Sequence, residues 1–482
     1  MRTNKIYNKL VAGVCCFSLT VAPLALTSCD SWLDVVPDDR ISETVVFDDQ
    51  LGYQKLLNGL YSGITTPTLY GCNLSAGAID VLAQYYYTSN KNNNYYNLAK
   101  YDYATVDSKS LISGIWEEAY KIISNANTLI DATEHANCPL IDRQKKRMKG
   151  EALAVRAFLH FDLLRLFGPL PSQLSEQAIP YQTSAELTVQ PFETGTQIMT
   201  KIKADLTEAI GLLKESEPLL IPEKYEVSDL DSRPYRMNYY AAKAILARVY
   251  LWEGNKTEAY NKAIEVINEG SADFPFVNEN DATGVNPDRL FTSEVLFGLY
   301  NTNRDRDLFN VLFSPMLKDY DRLYPAGTLS SGRIQEWYDD QNDYRYRIWA
   351  IDQETLFNQK FRTVDIDTRA NYTVPLIRMG EMYLIAAECA KSSNEAATWL
   401  NTLRNKHNCF SAEVNSDNLA NFIQMEYRKE FLGEGQMFFF MKRNEFDMVP
   451  DGNNETGNKS IELGSYVLPL PDGETSMREG LN

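Results

Sequence analysis

Glu426 and Glu430 stand four residues apart in the stretch EYRKEF, a spacing that puts two carboxylates on one helix face with Cβ atoms about 5–6 Å apart. Paired carboxylates hydrolyse a glycosidic bond when they flank it from opposite sides. Two groups side by side on one helix do not supply that, and Arg428 and Lys429 lie between them, so the stretch reads as a structural charge network. Glu151, Arg156, Asp162 and Arg165 read the same way. The chain has three histidines, His135, His160 and His407. His160 falls inside an apolar helical pattern and packs there, and His407 follows a helix end near Arg404 and Lys406. Neither a metal-ligand spacing nor a Ser-His-Asp arrangement emerges. Cys72, Cys138, Cys389 and Cys409 include no CxxC pair, which argues against a zinc cage. Their spacing assigns no disulfide, and Cys389 reads as a buried thiol. No catalytic residue, metal or cofactor is assigned.

Binding is the chemistry the side chains suit better. Tyr85, Tyr86, Tyr87, Tyr95 and Tyr96 surround the run Asn92-Asn93-Asn94. Tyrosine offers a flat apolar face with a polar tip, and asparagine offers both donor and acceptor. A neutral sugar presents the complement, C–H faces and hydroxyls, and a peptide would suit the same surface. The candidate ligand contacts are therefore Tyr85, Tyr86, Tyr87, Asn93, Tyr95 and Tyr96. A second cluster holds Trp337, Tyr338 and Trp349, with Tyr320 and Tyr324 upstream; Trp337 and Tyr338 are its candidates, and at least one of the two tryptophans belongs to a core. The same aromatics would also fill a core or pad a protein interface, and the sequence leaves those readings open.

The front of the chain carries a different signal. Arg2, Lys5 and Lys9 precede an uncharged run from Leu10 to Leu26, which is short for a bilayer-spanning helix. A basic start, a short apolar middle and small residues at the end are the layout of an export signal over residues 1–28. Leu26-Thr27-Ser28-Cys29 resembles the cleavage box of bacterial lipoproteins, which implies lipidation at Cys29. Several acyl chains hold a protein on a membrane where one holds it only reversibly. Removing residues 1–28 takes away three basic residues and no acidic ones, so the net charge of −18 becomes −21. That acidity argues against nucleic acid and against docking on anionic lipid.

The elements that must position these residues are helical. Residues 143–167 carry two apolar stripes, so the helix packs on two sides, with Asp142 as its expected N-cap and Gly168-Pro169 as its stop. Ile198, Ile202, Leu206, Ala209 and Leu213 mark another helix. MNYYAAKAILARVYLWEG closes at Gly254, and Asn255 with Glu258 predicts a capping box opening the next helix toward Gly270. Ala247, Tyr250, Ala259 and Ala263 match the small and aromatic spacing of a tetratricopeptide repeat. IRMGEMYLIAAECA with EAATWLNTLRNKH is a second candidate pair, and residues 116–131 a third contributor. The reading is mainly α: divergent helix pairs, a few short strands such as EVLFGLY, and long irregular loops over 67–105 and 271–375 that form a ligand or partner face. Residues 29–482 read as a single domain.

Taken together and in order, the segments resemble the SusD/RagB-like outer-membrane lipoproteins of Bacteroidetes. WLDVVPDDRISETVVF is similar to that family's opening, and KGEALAVRAFLHFDLLRLFGPLP to its most recognisable helix. AAKAILARVYLWEGNKTEAY and VPLIRMGEMYLIAAECA resemble its repeat helices, EYRKEFLGEGQMFFFMKR its late Glu-Arg-rich motif, and YVLPLPDGE its strand-like tail. NDYR at 342–345 resembles a scaffold motif of the family. Lys442-Arg443-Asn444-Glu445 departs from the Arg-Trp pair common there, and the ending SMREGLN is reduced. The resemblance implies a helical fold on tetratricopeptide-like pairs, anchored to the outer membrane and exposed at the surface. It implies a SusC-like TonB-dependent β-barrel partner, over which the protein acts as a lid, capturing an oligosaccharide or peptide without turnover. Two other classes stay open: a protein-docking helical scaffold of the envelope, and an envelope glycoside hydrolase.

Overall fold

The computed structural model describes residues 47–186 and 188–479. Cys29, the export signal and most of the opening motif lie outside the described residues. Among the described residues no helix is long and apolar enough to cross a membrane.

Helix α1 (Gln50–Ile64) starts where the Asp49 carboxylate accepts from the Gly52 N–H at 3.0 Å. Helix α2 (Val106–Glu134) contains the 116–131 segment and is capped by Thr105. Helix α3 (Asp142–Phe167) is buried continuously from Gly150 to Phe167, as two apolar stripes require. Its start differs from expectation: Asp142 is the first helical residue, and the Gln144 side chain accepts from the Ile141 N–H at 3.3 Å instead. The acid then serves the helix dipole rather than a capping bond. Gly168 ends the helix where any Cβ would lie 2.5 Å from the Leu164 carbonyl. Helix α4 (Gly195–Ser216) packs along α3, close enough that a Cβ at Gly150 would meet Leu213 at 2.9 Å.

Helices α5 (Tyr239–Trp252) and α6 (Lys256–Gly270) form the repeat-like hairpin, with Ala247, Ala259 and Ala263 fully buried between them. Only half of the expected capping box forms: Asn255 accepts from the Glu258 N–H at 3.2 Å. Helices α7 (Met379–Cys389) and α8 (Ser393–Lys406) form the second pair. Neighbours stack in series, α2 on α3, α3 on α4, α4 on α5, α6 on α7, so each buries the face the last leaves open. Helix α9 (Leu419–Phe431) packs on α7, and α10 (Met437–Arg443) follows it. Strand β1 (Val295–Tyr300), the EVLFGLY run, pairs antiparallel with β2 (Thr373–Arg378). The YVLPLP tail is no strand among the described residues; Leu468 N–H donates to the Leu166 carbonyl at 3.0 Å, and a further helix, Asp472–Glu479, follows.

Charged residues on the buried faces meet an opposite charge or bond the main chain, as Lys442 and Arg304 do through carbonyls, which is what burial of charge demands. Glu151 meets Arg233 at 2.7 Å, and Arg156 clasps Asp205 through two bonds of 2.7 Å. Asp162 bonds Arg165 and the Tyr70 hydroxyl. A larger hub joins the NDYR and EYRKE motifs. Arg345 reaches Asp343 at 2.7 Å, Glu426 at 2.7 Å and Glu430 at 2.9 Å. Arg378 meets Glu430 at 2.8 Å and Glu434 at 2.9 Å. Lys429 meets Asp339 at 3.0 Å, and Arg404 bonds both Asp339 and Glu426. Burial alone would raise the Glu430 carboxyl, but Arg378, His407 and Arg345 outweigh it and hold it at about 2. Gly380 is glycine because a Cβ there would overlap a Glu430 carboxylate oxygen at 2.1 Å.

Candidate ligand-binding site

The two long loops converge on one cleft of about 180 Å³, lined by Tyr87, Thr88, Asn93, Asp319, Tyr320 and Tyr324 among others. Its backbone is stitched across the loops. The Tyr87 N–H donates to the Tyr324 carbonyl at 2.7 Å, and Asn93 Nδ2 donates to the Tyr320 carbonyl at 2.8 Å. The Tyr87 and Tyr324 rings lie 5.9 Å apart at 38°. Thr88 N–H is held by Asn453 Oδ1 at 2.8 Å, while the Thr88 hydroxyl, buried on the wall, has no partner. Burial raises the Tyr324 phenol, with Asp319 adding to it, so it stays neutral at physiological pH. Asp319 is matched by Arg322 at 2.8 Å, and the Arg322 guanidinium lies 4.9 Å from the Tyr324 ring. The cleft therefore offers half-buried aromatic faces, a spare hydroxyl and balanced charge, which suits a neutral polyhydroxylated ligand.

A scaffold motif braces the loop that carries Tyr87. Asp80 accepts from the Gly433 N–H at 2.6 Å and the Gly435 N–H at 3.2 Å. Gly435 has φ +73° and sits where a Cβ would lie 2.3 Å from the Leu74 carbonyl, so only glycine fits. Burial pushes the Asp80 carboxyl up to about 8, against the pull of those N–H groups and Lys360.

Of the sequence candidates, the structure brings Tyr87 and Asn93 to the cleft, together with Tyr320 and Tyr324 from the second cluster. Tyr85, Tyr86, Trp337 and Tyr338 are corrected to core residues, each 3% exposed or less. Tyr85 stands edge-on to Trp337 at 5.5 Å and donates its hydroxyl to the Arg428 carbonyl at 2.8 Å. Tyr86 packs on Phe313, and Tyr338 on Tyr346. They have no face left for a ligand. Tyr95 is likewise turned inward against Cys72, and burial raises its phenol. Tyr96 lies outside the cleft with the Lys100 ammonium 3.7 Å from its ring.

The structure also gathers Glu294, His407 and Glu430, ligand types that sequence spacing did not connect. Arg378 approaches Glu430 at 2.8 Å and Glu294 at 3.5 Å, so a guanidinium already supplies the positive charge a cation would bring. The group belongs to the ion-pair hub. Glu426 and Glu430 are fully buried there, beyond reach of a polymer, as the charge-network reading expects. Cys72, Cys138, Cys389 and Cys409 are free thiols, Cys389 buried.

A stack of tetratricopeptide-like helix pairs carrying a loop-built aromatic cleft defines a helical binding protein. Two family models match in succession: "Starch-binding associating with outer membrane" over residues 31–251 and "SusD family" over residues 326–482. The chain belongs to the SusD/RagB-like family. It is 23% identical to SusD-like protein P2 of Formosa agariphila, over 94% of this chain and 95% of that one. Its fold is similar to a SusD superfamily protein from Bacteroides thetaiotaomicron, with TM-score 0.71, 22% identity and coverage of 88% and 97%. It is also similar to a SusD-like carbohydrate binding protein from Bacteroides vulgatus, with TM-score 0.69, 19% identity and coverage of 89% and 96%.

Proposed function

We propose that this protein captures a glycan at the outer membrane and delivers it to a SusC-like TonB-dependent barrel, without turnover. The observation that carries the reading is the tyrosine cleft, where Tyr87 and Tyr324 converge from two long loops. Its aromatic faces and matched charges favour a neutral sugar, and the outer-membrane association of the family model supports the location. Acylation at Cys29 would hold the receptor beside the barrel at high effective concentration. The hub carboxylates are each engaged by arginine or lysine, which supports capture rather than hydrolysis.

Affinity electrophoresis of the full chain in gels containing neutral polysaccharides, together with co-purification from native membranes, tests this. Retardation by at least one glycan, weakened about tenfold (~1.4 kcal/mol) in Tyr87→Ala, and recovery with a β-barrel are expected. Binding of peptides alone, or recovery with no barrel, would overturn it.

A further inference from the structure

We infer that the protein holds a second carbohydrate-binding cleft, separate from the tyrosine cleft and larger. The inference rests on the reading of the chain as a glycan receptor. This cleft measures about 740 Å³ and shares no lining residue with the first; its volume falls within the range of about 300–1,000 Å³ typical of small-molecule sites. Its walls come from three places: the end of α1 (residues 58–67), the segment before α5 (residues 228–236), and the chain leaving β1 (residues 299–307).

The platform is Tyr300. The first five residues of β1 are buried, Leu299 among them, and Tyr300 at its end is 52% exposed. Its ring is held in place from two sides, edge-on to Tyr235 at 5.4 Å and 77°, and beside Tyr372 at 5.1 Å. Tyr235 is fixed in turn by a 2.9 Å bond between its hydroxyl and Thr373 Oγ1. An exposed aromatic ring locked by two others is a preorganised surface for the C–H face of a sugar.

The polar groups on the walls point to the same ligand. Asn301 is 5% exposed; its Oδ1 accepts from the Asn303 N–H at 2.8 Å, but its Nδ2 has no partner. Thr66 Oγ1 and Arg236 Nη1 are unpartnered too, although Arg236 Nη2 donates to Asn58 Oδ1 at 2.7 Å. Unspent donors call for ligand oxygens. The charges call for no ionic group. Asp231 is matched by Arg369 at 3.0 Å and Asp307 by Arg306 at 2.6 Å. The Arg236 guanidinium lies 4.6 Å from the Tyr61 ring and helps hold buried Glu151 ionised. A neutral oligosaccharide supplies both the acceptor oxygens and the apolar face; a metal cation supplies neither, and an ammonium group donates where the walls already donate.

The test uses the full chain purified in detergent with malto-, laminari-, xylo- and manno-hexaose as probes, read by affinity and by hydroxyl-radical footprinting. With a hexaose that binds, Tyr300 is expected to be protected from oxidation, in wild type and in Tyr87→Ala alike. Tyr300→Ala should weaken binding about tenfold, and Thr66→Val, which leaves the platform whole, about threefold, each with an unchanged melting temperature. Protection at Tyr87 and Tyr320 with Tyr300 as reactive as in the free protein would overturn the second cleft and leave the proposed function standing. Loss of binding in Tyr300→Ala but not in Tyr87→Ala would support the second cleft against the tyrosine cleft. Binding of none of the four hexaoses would overturn this inference, and affinity electrophoresis would then decide the proposed function separately.

Discussion

Replacing Glu430 by Gln isolates the charge on which the ion-pair hub turns. The substitution keeps shape and an acceptor oxygen but removes the anion that Arg345 reaches at 2.9 Å and Arg378 at 2.8 Å. Those cations lower the carboxyl from its ordinary 4.5 to about 2 despite complete burial. The separation, 4.5 − 2, is about 2.5 pH units, and at about 1.36 kcal/mol per unit it gives the anion ~3 kcal/mol of stability. The range for breaking one partner of a buried pair, about 3–5 kcal/mol, agrees. With an unfolding entropy of about 2.1 cal/mol/K per residue over roughly 430 residues, the expected drop in Tm is about 3 °C at pH 7. The sign follows from a depressed pKa. The contribution is present above pH 4.5 and is lost as pH falls through 2, so the gap between variant and wild type should close across that window. Scanning calorimetry at pH 7, 5 and 3 measures it. An unchanged Tm at pH 7, or the same deficit at pH 3 as at pH 7, would refute the electrostatic account. Glycan affinity should be unaffected, because Glu430 does not line the tyrosine cleft. A glycan-cleaving activity present in wild type and absent in Glu430→Gln would overturn the non-enzymatic reading.

Two further outcomes are expected. Cys29→Ser should move the protein out of the membrane fraction and abolish its labelling with radioactive palmitate; full membrane retention would remove the anchor from the scheme. Trp337→Ala should destabilise the fold by about 3–5 kcal/mol, as truncation of a buried aromatic does, while the fraction that remains folded binds glycan with wild-type affinity. A selective loss of affinity at unchanged Tm would return Trp337 to the ligand site.

The helices were legible because burial writes itself at a helical period. The two stripes of residues 143–167 required a helix covered on both sides, and α3 is buried without a break from Gly150 onward. The small residues Ala247, Ala259 and Ala263 announced the close approach of α5 and α6. Where pattern had to decide a local hydrogen bond it was less informative. Asp142 and Gln144 both fit a helix start, and which one reaches an orphan N–H depends on the entry angle of the chain. YVLPLP resembles a strand-like tail, yet two of its six residues are prolines without an N–H to donate, and Leu468 N–H bonds the Leu166 carbonyl at the end of α3 instead of a ladder partner. The cations Arg428 and Lys429 lying between them indicated that Glu426 and Glu430 would be neutralised. They did not show that the partners would include Arg345 and Arg378, each from a segment distant in sequence.

The tyrosine run shows why the cleft was harder to read than the scaffold. Tyr85, Tyr86 and Tyr87 are adjacent and chemically identical, yet the first two are core and the third opens to the cleft. Gln84 just before them takes φ +60°, a left-handed turn that no side-chain period encodes. The direction of the segment is then set from far away. Gly433 and Gly435 grip Asp80, the Arg428 carbonyl takes the Tyr85 hydroxyl, and Asn453 takes the Thr88 N–H. Gly452 is bare because a Cβ would lie 2.7 Å from the Tyr86 carbonyl. All four holds come from the last sixty or so residues of the chain, while the tyrosines lie in the first hundred. The recognisable late motif therefore acts on the cleft by fixing its rear wall. The front wall, residues 319–324, meets it through two of its main-chain carbonyls: that of Tyr324 accepts from the Tyr87 N–H and that of Tyr320 from Asn93 Nδ2. Bonds that end on main-chain carbonyls tolerate exchange of the side chains of residues 319–324, so one scaffold can present different front walls to different ligands while its own motifs stay put.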